Sequence, residues 1–369
     1  MTNDPGSFDS AVTRRDALRT LGLSTLGAAY PAVADAAPRP AATLASPAGL
    51  DVNAAAREDF ELAEVLRLAS VPSFTLARVQ GTRITTQSVG VQRNGESNPV
   101  SADTVYAAAS LTKAVFAYTF LSFVQDGLLS LDRPVRDYLE LPKGFFFLQR
   151  VLEKLTGRST STLLRERVFT PLGMTRSSLL PLVELDANRA AGHDGRGTPQ
   201  TPFGRATMLE LRRLLSEAGR GLETATVEDA ERALRVAEPT LPVLPKFLPL
   251  NAAASMLTTA SDFALFLRHV VTARQRGGAA AAIVSALMSK QVRCNDRVGW
   301  GLGVGLETVG ASQCAWQWGD NPGYKSYFWA DPEREQAMVV FTNGNRGARV
   351  YERVIRSVTG DDHAGFLWA

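Results

Sequence analysis

A serine and a lysine three residues apart, Ser110 and Lys113, stand in the stretch AAASLTKAVFAYTFLSFV that runs from Ala107 to Val124. The run is apolar and helix-tolerant up to a stop signal at Asp126 and Gly127, which predicts a helix, and positions i and i+3 of a helix share one face. Hydroxyl and amine would then lie side by side. Leu111, Ala114, Val115, Ala117, Tyr118, Leu121 and Val124 cover nearly every side of this helix, so it reads as buried inside a domain. An ammonium there loses hydration, its neutral form gains, and a neutral amine can take the proton of a neighbouring hydroxyl. That is the chemistry of a serine nucleophile activated by a lysine base. On spacing alone a plainer account is the better one: a capping serine followed by a lysine that snorkels to water. The surrounding sequence has to decide.

The elements that would position the pair can be read from periodicity. Asn53 to Leu68 has the pattern of an amphipathic helix, and Val71 to Val79 and Arg83 to Val89 alternate as two strands of a hairpin turning at Gln80 and Gly81. Near the other end, Gly301 to Glu307, Cys314 to Gly319, Tyr324 to Ala330 and Gln336 to Thr342 read as strands, and Val350 to Val358 as a closing helix. Strands at both ends with helices between them imply an α+β fold: an antiparallel sheet built from both termini, with a helical region inserted in the middle. The stretch from Ala206 to Ala237 predicts two charged amphipathic helices split near Gly219 to Thr224. Ser261 is the expected cap of a helix that begins with Asp262.

With 369 residues there is material for one large domain or two, and a net charge of +3 with no basic tract interleaved with aromatics does not suggest nucleic acid. The two cysteines, Cys294 and Cys314, can pair in an oxidising compartment or stand apart as small residues, and without helpers they make no metal site. Three scattered histidines add none, so no metal and no cofactor is expected. The run Gly301 to Gly305 is expected to be a strand of small residues, since no helix follows it to make a phosphate loop.

Thr13, Arg14, Arg15, Asp16, Ala17, Leu18 and Arg19 resemble a twin-arginine export signal, followed by a mildly apolar run from Leu21 to Val33 and small-residue cleavage options between Ala32 and Ala36. Residues 1–36 are therefore expected to be a signal peptide and 37–50 a Pro- and Ala-rich linker, which puts the mature protein outside the cytoplasm, periplasmic or extracellular. The apolar run is too short to span a bilayer, so no integral membrane segment is expected once the signal is removed.

Taken together, Pro72 to Gly90, Asp103 to Lys113 (DTVYAAASLTK) and Gly127 to Leu141 (GLLSLDRPVRDYLEL) resemble the opening of the serine β-lactamase and penicillin-binding-protein family, nearest its class C and esterase branch. Thr156 to Met174, Asn251 to Leu267 (NAAASMLTTASDFALFL) and Gln317 to Tyr324 (QWGDNPGY) continue the resemblance in the family's order. It covers residues 51–369, with a sheet subdomain of about 51–109 and 296–369 and a helical one of about 110–295. The resemblance implies an active site in the crevice between them, an acyl-enzyme formed on Ser110 with Lys113 as base, and small-molecule or peptidoglycan-like ester or amide substrates. It also implies an oxyanion site made by the backbone N–H groups of Ser110 and Asp320.

Two departures bear on function. The family carries a Tyr-x-Asn motif before the helix that ends in TG. Here YLELP (Tyr138 to Pro142) runs almost directly into FFFLQRVLEKLTG (Phe145 to Gly157), and the motif's residues are not in the chain. Its tyrosine serves the family as a proton shuttle, and Tyr106, Tyr118 and Tyr138 do not replace it by motif; Tyr106 is best read as a packing residue. The omission is expected to uncover apolar faces, including those of the nucleophile helix, unless the chain repacks. Where the family has Lys or His, a variable residue and Gly on the cleft strand, this chain has Gln317, Trp318 and Gly319. Gln317 keeps hydrogen bonding without charge, which points to uncharged esters or amides. His193 and Asp194 lie in a loop that the family also tends to have and are not expected to act on Ser110. The alternatives are therefore an exported serine hydrolase, an impaired relative serving as a binding or sensing module, and a non-enzymatic envelope protein on the same fold.

Overall fold

The computed structural model describes residues 52–134, 137, 144–180, 183–201, 205–237 and 250–368. The expected signal peptide and linker, and Tyr138 to Pro142, lie outside the described residues.

An eight-stranded antiparallel sheet forms the spine, in the order β2-β1-β10-β9-β8-β7-β6-β5. The N-terminal hairpin β1 (Ser73–Gln80) and β2 (Arg83–Gly90) pairs through β1 with β10 (Gln336–Thr342), Phe74 opposite Thr342 and Gln80 opposite Gln336. The first and last strands thus meet inside the sheet. β10 then pairs with β9 (Tyr324–Asp331), β9 with β8 (Ser312–Asn321), β8 with β7 (Gly305–Val309), and the short β6 (Val298–Trp300) and β5 (Val292–Arg293) finish the edge. A separate two-stranded ribbon joins β3 (Tyr106–Ala107) to β4 (Leu257–Thr258).

Both faces of the sheet are covered, and the period of two along each strand sorts its side chains between two cores. Ala337, Val339 and Phe341 of β10 enter the larger core, with α2 (Thr112–Gln125), α6 (Ala260–Val271) and α7 (Gly278–Met288). Met338 and Val340 enter the second core, beneath α1 (Val52–Ala69) and α8 (Gly347–Thr359). A third cluster is built by α4 (Arg205–Glu217) and α5 (Val227–Ala237). Between α2 and α4 lies α3 (Phe145–Thr156), which ends at Gly157 in the left-handed conformation.

Several expectations are corrected. Gly301 to Val304 is a turn, closed by Gly301 N–H donating to Val304 O, and the strand begins only at Gly305. Gly303 has φ +92° and a Cβ there would meet Ala117 Cβ at 2.4 Å, so these small residues admit α2 rather than pair in a sheet. The cap of α6 is Thr259, whose hydroxyl accepts from Asp262 N–H at 3.0 Å; Ser261 instead donates to Ala102 O. Of the two possibilities left open for Cys294 and Cys314, the structure has them apart, as free thiols. The N–H of Cys294 bonds Val298, Val298 pairs with Glu307, and Glu307 with Cys314. Three strand spacings, roughly 14 Å, separate the thiols, about twice what a disulfide spans. Finally, α2 is not uncovered: every residue from Thr112 to Phe123 is buried, and Phe145 and Phe147 of α3 join the core around it.

Candidate active site

Ser110 sits on a 3-10 turn (Ala109–Leu111) that feeds directly into α2, the residue before it being strained. Ala109 has φ +50°, a left-handed conformation that costs a non-glycine residue about 1–2 kcal/mol. The strain is held from both sides. Ala108 N–H donates to Met256 O at 2.8 Å, and Ser326 Oγ donates to Ala108 O at 2.9 Å. Thr112 Oγ1 donates to Ala109 O at 2.6 Å and accepts Met256 N–H at 3.1 Å. Such a turn presents a half-buried hydroxyl at the head of a buried helix.

One turn on, Lys113 Nζ lies 2.7 Å from Ser110 Oγ and donates to Ala253 O at 3.1 Å. The Phe145 ring stands 5.8 Å from the same nitrogen. Only 5% of Lys113 is exposed and among the described residues no carboxylate is paired with it, so burial lowers its pKa from the ordinary 10.5 to about 8. A neutral Lys113 has two N–H groups and one lone pair. With one N–H on Ala253 O, the lone pair is free to accept the Ser110 proton.

Strand β8 closes the other wall. Gly319 approaches so closely that a Cβ there would meet Ser326 Oγ at 2.2 Å, Ala108 O at 2.7 Å and Ala109 Cβ at 3.1 Å. Gln317 shares this face of the strand and is fully buried; its Nε2 donates to Trp318 O, while Oε1 has no partner among the described residues. Trp318 and Asp320 point to the opposite face, where Trp318 packs against the second core and Asp320 pairs with Lys325. Any part they take at Ser110 falls to their backbone. Asn321 and Tyr324 close a two-residue turn, which makes Asp320 and Lys325 a non-hydrogen-bonded pair and turns Asp320 N–H away from β9. On that side β7 ends opposite Trp316, so no described strand takes the N–H up.

The loop that carries Ala253 is fixed from three directions. Asn251 Oδ1 accepts the N–H groups of Ala253 and Ala254, Asn321 Nδ2 donates to Ala254 O, and Gln149 of α3 bonds both Leu250 O and Ala252 N–H. Sequence reasoning passed over Gln149, Phe145 and Ala253. The available signal was a stripe at i, i+4 and i+8 of α3, Phe145, Gln149 and Glu153, that sets two polar side chains on the buried side.

Other titratable groups are engaged elsewhere. Tyr106 bonds Ser73 and Thr75 and stacks on Phe341, burial raising its pKa to about 12. Tyr118 bonds His269 further along α2. His193 makes a Nδ1 hydrogen bond with Asn343 O and accepts Asn94 N–H at Nε2, pinning a loop rather than reaching Ser110. Among the described residues no group of three or more His, Cys, Asp and Glu could hold a metal, and no helix is long and apolar enough to cross a membrane.

The family model described as Beta-lactamase matches residues 67–146 and 144–359, two stretches that meet at the start of α3. Penicillin-binding protein 4 of Amycolatopsis lactamdurans is 27% identical over 238 residues, 59% of this chain and 50% of that protein, so the chain spans about half the length of this curated relative. Among solved structures, the octameric penicillin-binding protein homologue from Pyrococcus abyssi superposes with a TM-score of 0.61 at 14% identity, over 85% of this chain and 78% of that one. The class C beta lactamase from Rhodobacter sphaeroides gives 0.58 at 15% identity, over 82% and 99%. The D-alanine carboxypeptidase AmpC from Burkholderia cenocepacia gives 0.61 at 13%, over 82% and 99%. At these identities the structural matches speak for the fold.

Proposed function

The chain belongs to the Beta-lactamase family, and from that premise we propose that it is a serine hydrolase that forms an acyl-enzyme on Ser110 from ester or amide substrates. The observation that carries this is the 2.7 Å contact of Ser110 Oγ with the amine of a buried, desolvated Lys113. Neutral Lys113 takes the Oγ proton as oxygen bonds to the substrate carbonyl carbon, and the N–H groups of Ser110 and Asp320 hold the negative charge that gathers on the carbonyl oxygen. Collapse breaks the bond to the leaving alcohol or amine, which receives the proton from Lys113. Water then cleaves the acyl ester and regenerates Ser110.

Substrate class follows from the wall at Gln317. The strand that faces Ser110 contributes an amide and no cation, and Lys325, the nearby charge on β9, is paired with Asp320. We place uncharged esters or amides ahead of carboxylate-bearing β-lactams and D-Ala peptides, and the site of action outside the cytoplasm. A preference for β-lactams over simple esters in side-by-side turnover, or recovery of the protein only in the cytoplasmic fraction, overturns these two statements respectively.

A second reading has its own observation. Among the described residues the aromatic ring beside Lys113 is that of Phe145, which has no hydroxyl to relay a proton, and the family match falls into two stretches where α3 begins. An enzyme with Lys113 as its sole base acylates and then releases the acyl group slowly, which suits a sensing or binding module. Stopped-flow kinetics with p-nitrophenyl acetate, coupled to mass spectrometry of Ser110, tests both. Sustained turnover supports the hydrolase, a burst with a lasting Ser110 acyl ester supports the sensor, and no adduct on Ser110 overturns the acyl-enzyme.

A further inference from the structure

We infer that Gln149 is a positioning residue for the Ser110–Lys113 pair, acting by clamping the loop whose Ala253 carbonyl holds the lysine amine. The inference rests on the acyl-enzyme reading above. Gln149 is 1% exposed and spends both ends of its amide on one loop, Nε2 donating to Leu250 O at 2.8 Å and Oε1 accepting Ala252 N–H at 2.9 Å. The next residue along, Ala253, bears the carbonyl oxygen that accepts from Lys113 Nζ at 3.1 Å. On α3 itself the amide has one partner, Glu153, to whose Oε1 its Nε2 also donates at 3.2 Å; the neighbouring buried positions Leu148, Val151 and Leu152 are apolar, and the shorter bonds go to the loop. One face of α3 thus acts twice on one amine. Phe145 packs against Lys113 and keeps water off it, while Gln149 one turn later fixes the carbonyl that orients it. Glu153, a further turn on, anchors the helix by accepting Thr160 N–H at 2.9 Å and Val227 N–H at 2.7 Å, and Gln149 Nε2 lies 3.2 Å from its Oε1.

A loosened loop admits water to Nζ, and desolvation is what makes the amine a base near neutrality. The test is the pH profile of Ser110 acylation by p-nitrophenyl acetate in wild type, Gln149→Met and, as a purely structural control in the same helix, Leu152→Ala. Gln149→Met is expected to slow acylation at pH 7 at least tenfold and to move the midpoint of the profile up from near 8 toward 10.5. Leu152→Ala is expected to lower the melting temperature and leave the midpoint where it was. Should Gln149→Met fail to fold, Gln149→Asn adds no charge beside Glu153 but is one methylene too short to bond both Leu250 O and Ala252 N–H, and its midpoint is expected to rise as well. A midpoint unchanged or lowered in the Gln149 variant, with wild type acylated normally, overturns the positioning role alone. A wild-type Ser110 that never acylates overturns it together with the function it serves.

Discussion

Lys113 is costly to the folded protein, and the cost has a sign that can be checked. Its folded pKa lies near 8 against the ordinary 10.5, so between those values the unfolded chain binds more protons and stability rises with pH. Below pH 8 the penalty on the charged amine is present in full, at about 3 kcal/mol. Lys113→Met removes it but orphans Ala253 O, which costs about 1–3 kcal/mol. Urea denaturation is therefore expected to show the variant equal to wild type or more stable by up to about 2 kcal/mol at pH 7, with that advantage lost or reversed by pH 10. A variant clearly less stable than wild type at pH 7 would sink this account of the lysine. The same titration sets the chemistry. Acylation of Ser110 is expected to rise with pH through a midpoint near 8, read by burst amplitude and rate between pH 6 and 9.5, and a flat profile excludes Lys113 as base.

At the scale of elements, the turn at Ser110 and strand β8 hold each other in place. Gly319 leaves no room for a side chain, since the atoms a Cβ would meet include the Ala108 carbonyl on the strained turn. Gly319→Ala is expected to destabilise by about 1–3 kcal/mol and to lower acylation by more than a hundredfold, because the strand must retreat from the nucleophile. Thermal melting and the burst assay check the two separately. How far these elements were legible in sequence depended on pattern length. Gln336 to Thr342 holds an unbroken apolar run from Ala337 to Phe341, long enough to read as a strand buried on both faces, and the strand occupies those residues. β5 and β6, two and three residues long, carry too little alternation to be seen. Gly301 to Gly305 misled because small residues serve a strand and a tight helix contact alike. Ser110 and Lys113 stood out as residue types three apart, whereas Ala253 contributes only a carbonyl and Gln149 only a tertiary contact, and neither has a local signature.

Across the whole molecule, the sheet keeps apart what sequence distance leaves close. Cys294 and Cys314 are twenty residues apart, yet β6 and β7 lie between their positions in the sheet, and Cys314 is fully buried. Burial also pushes the Cys314 thiol well above its ordinary value, so it carries almost no thiolate at neutral pH. An intramolecular bridge would need β7 stripped from β8, at the heart of the second core where Trp300, Trp316 and Trp329 pack. Folded protein held under mild oxidant is therefore expected to retain two titratable thiols after denaturation in acid and assay at neutral pH. Peptide mapping is expected to show no Cys294–Cys314 cross-link, and protein oxidised while unfolded is expected to regain activity only after reduction. Recovery of that cross-link from active protein would mean that the strand order β8-β7-β6-β5 is wrong at this edge, and with it the wall on which Gln317 and Gly319 are placed.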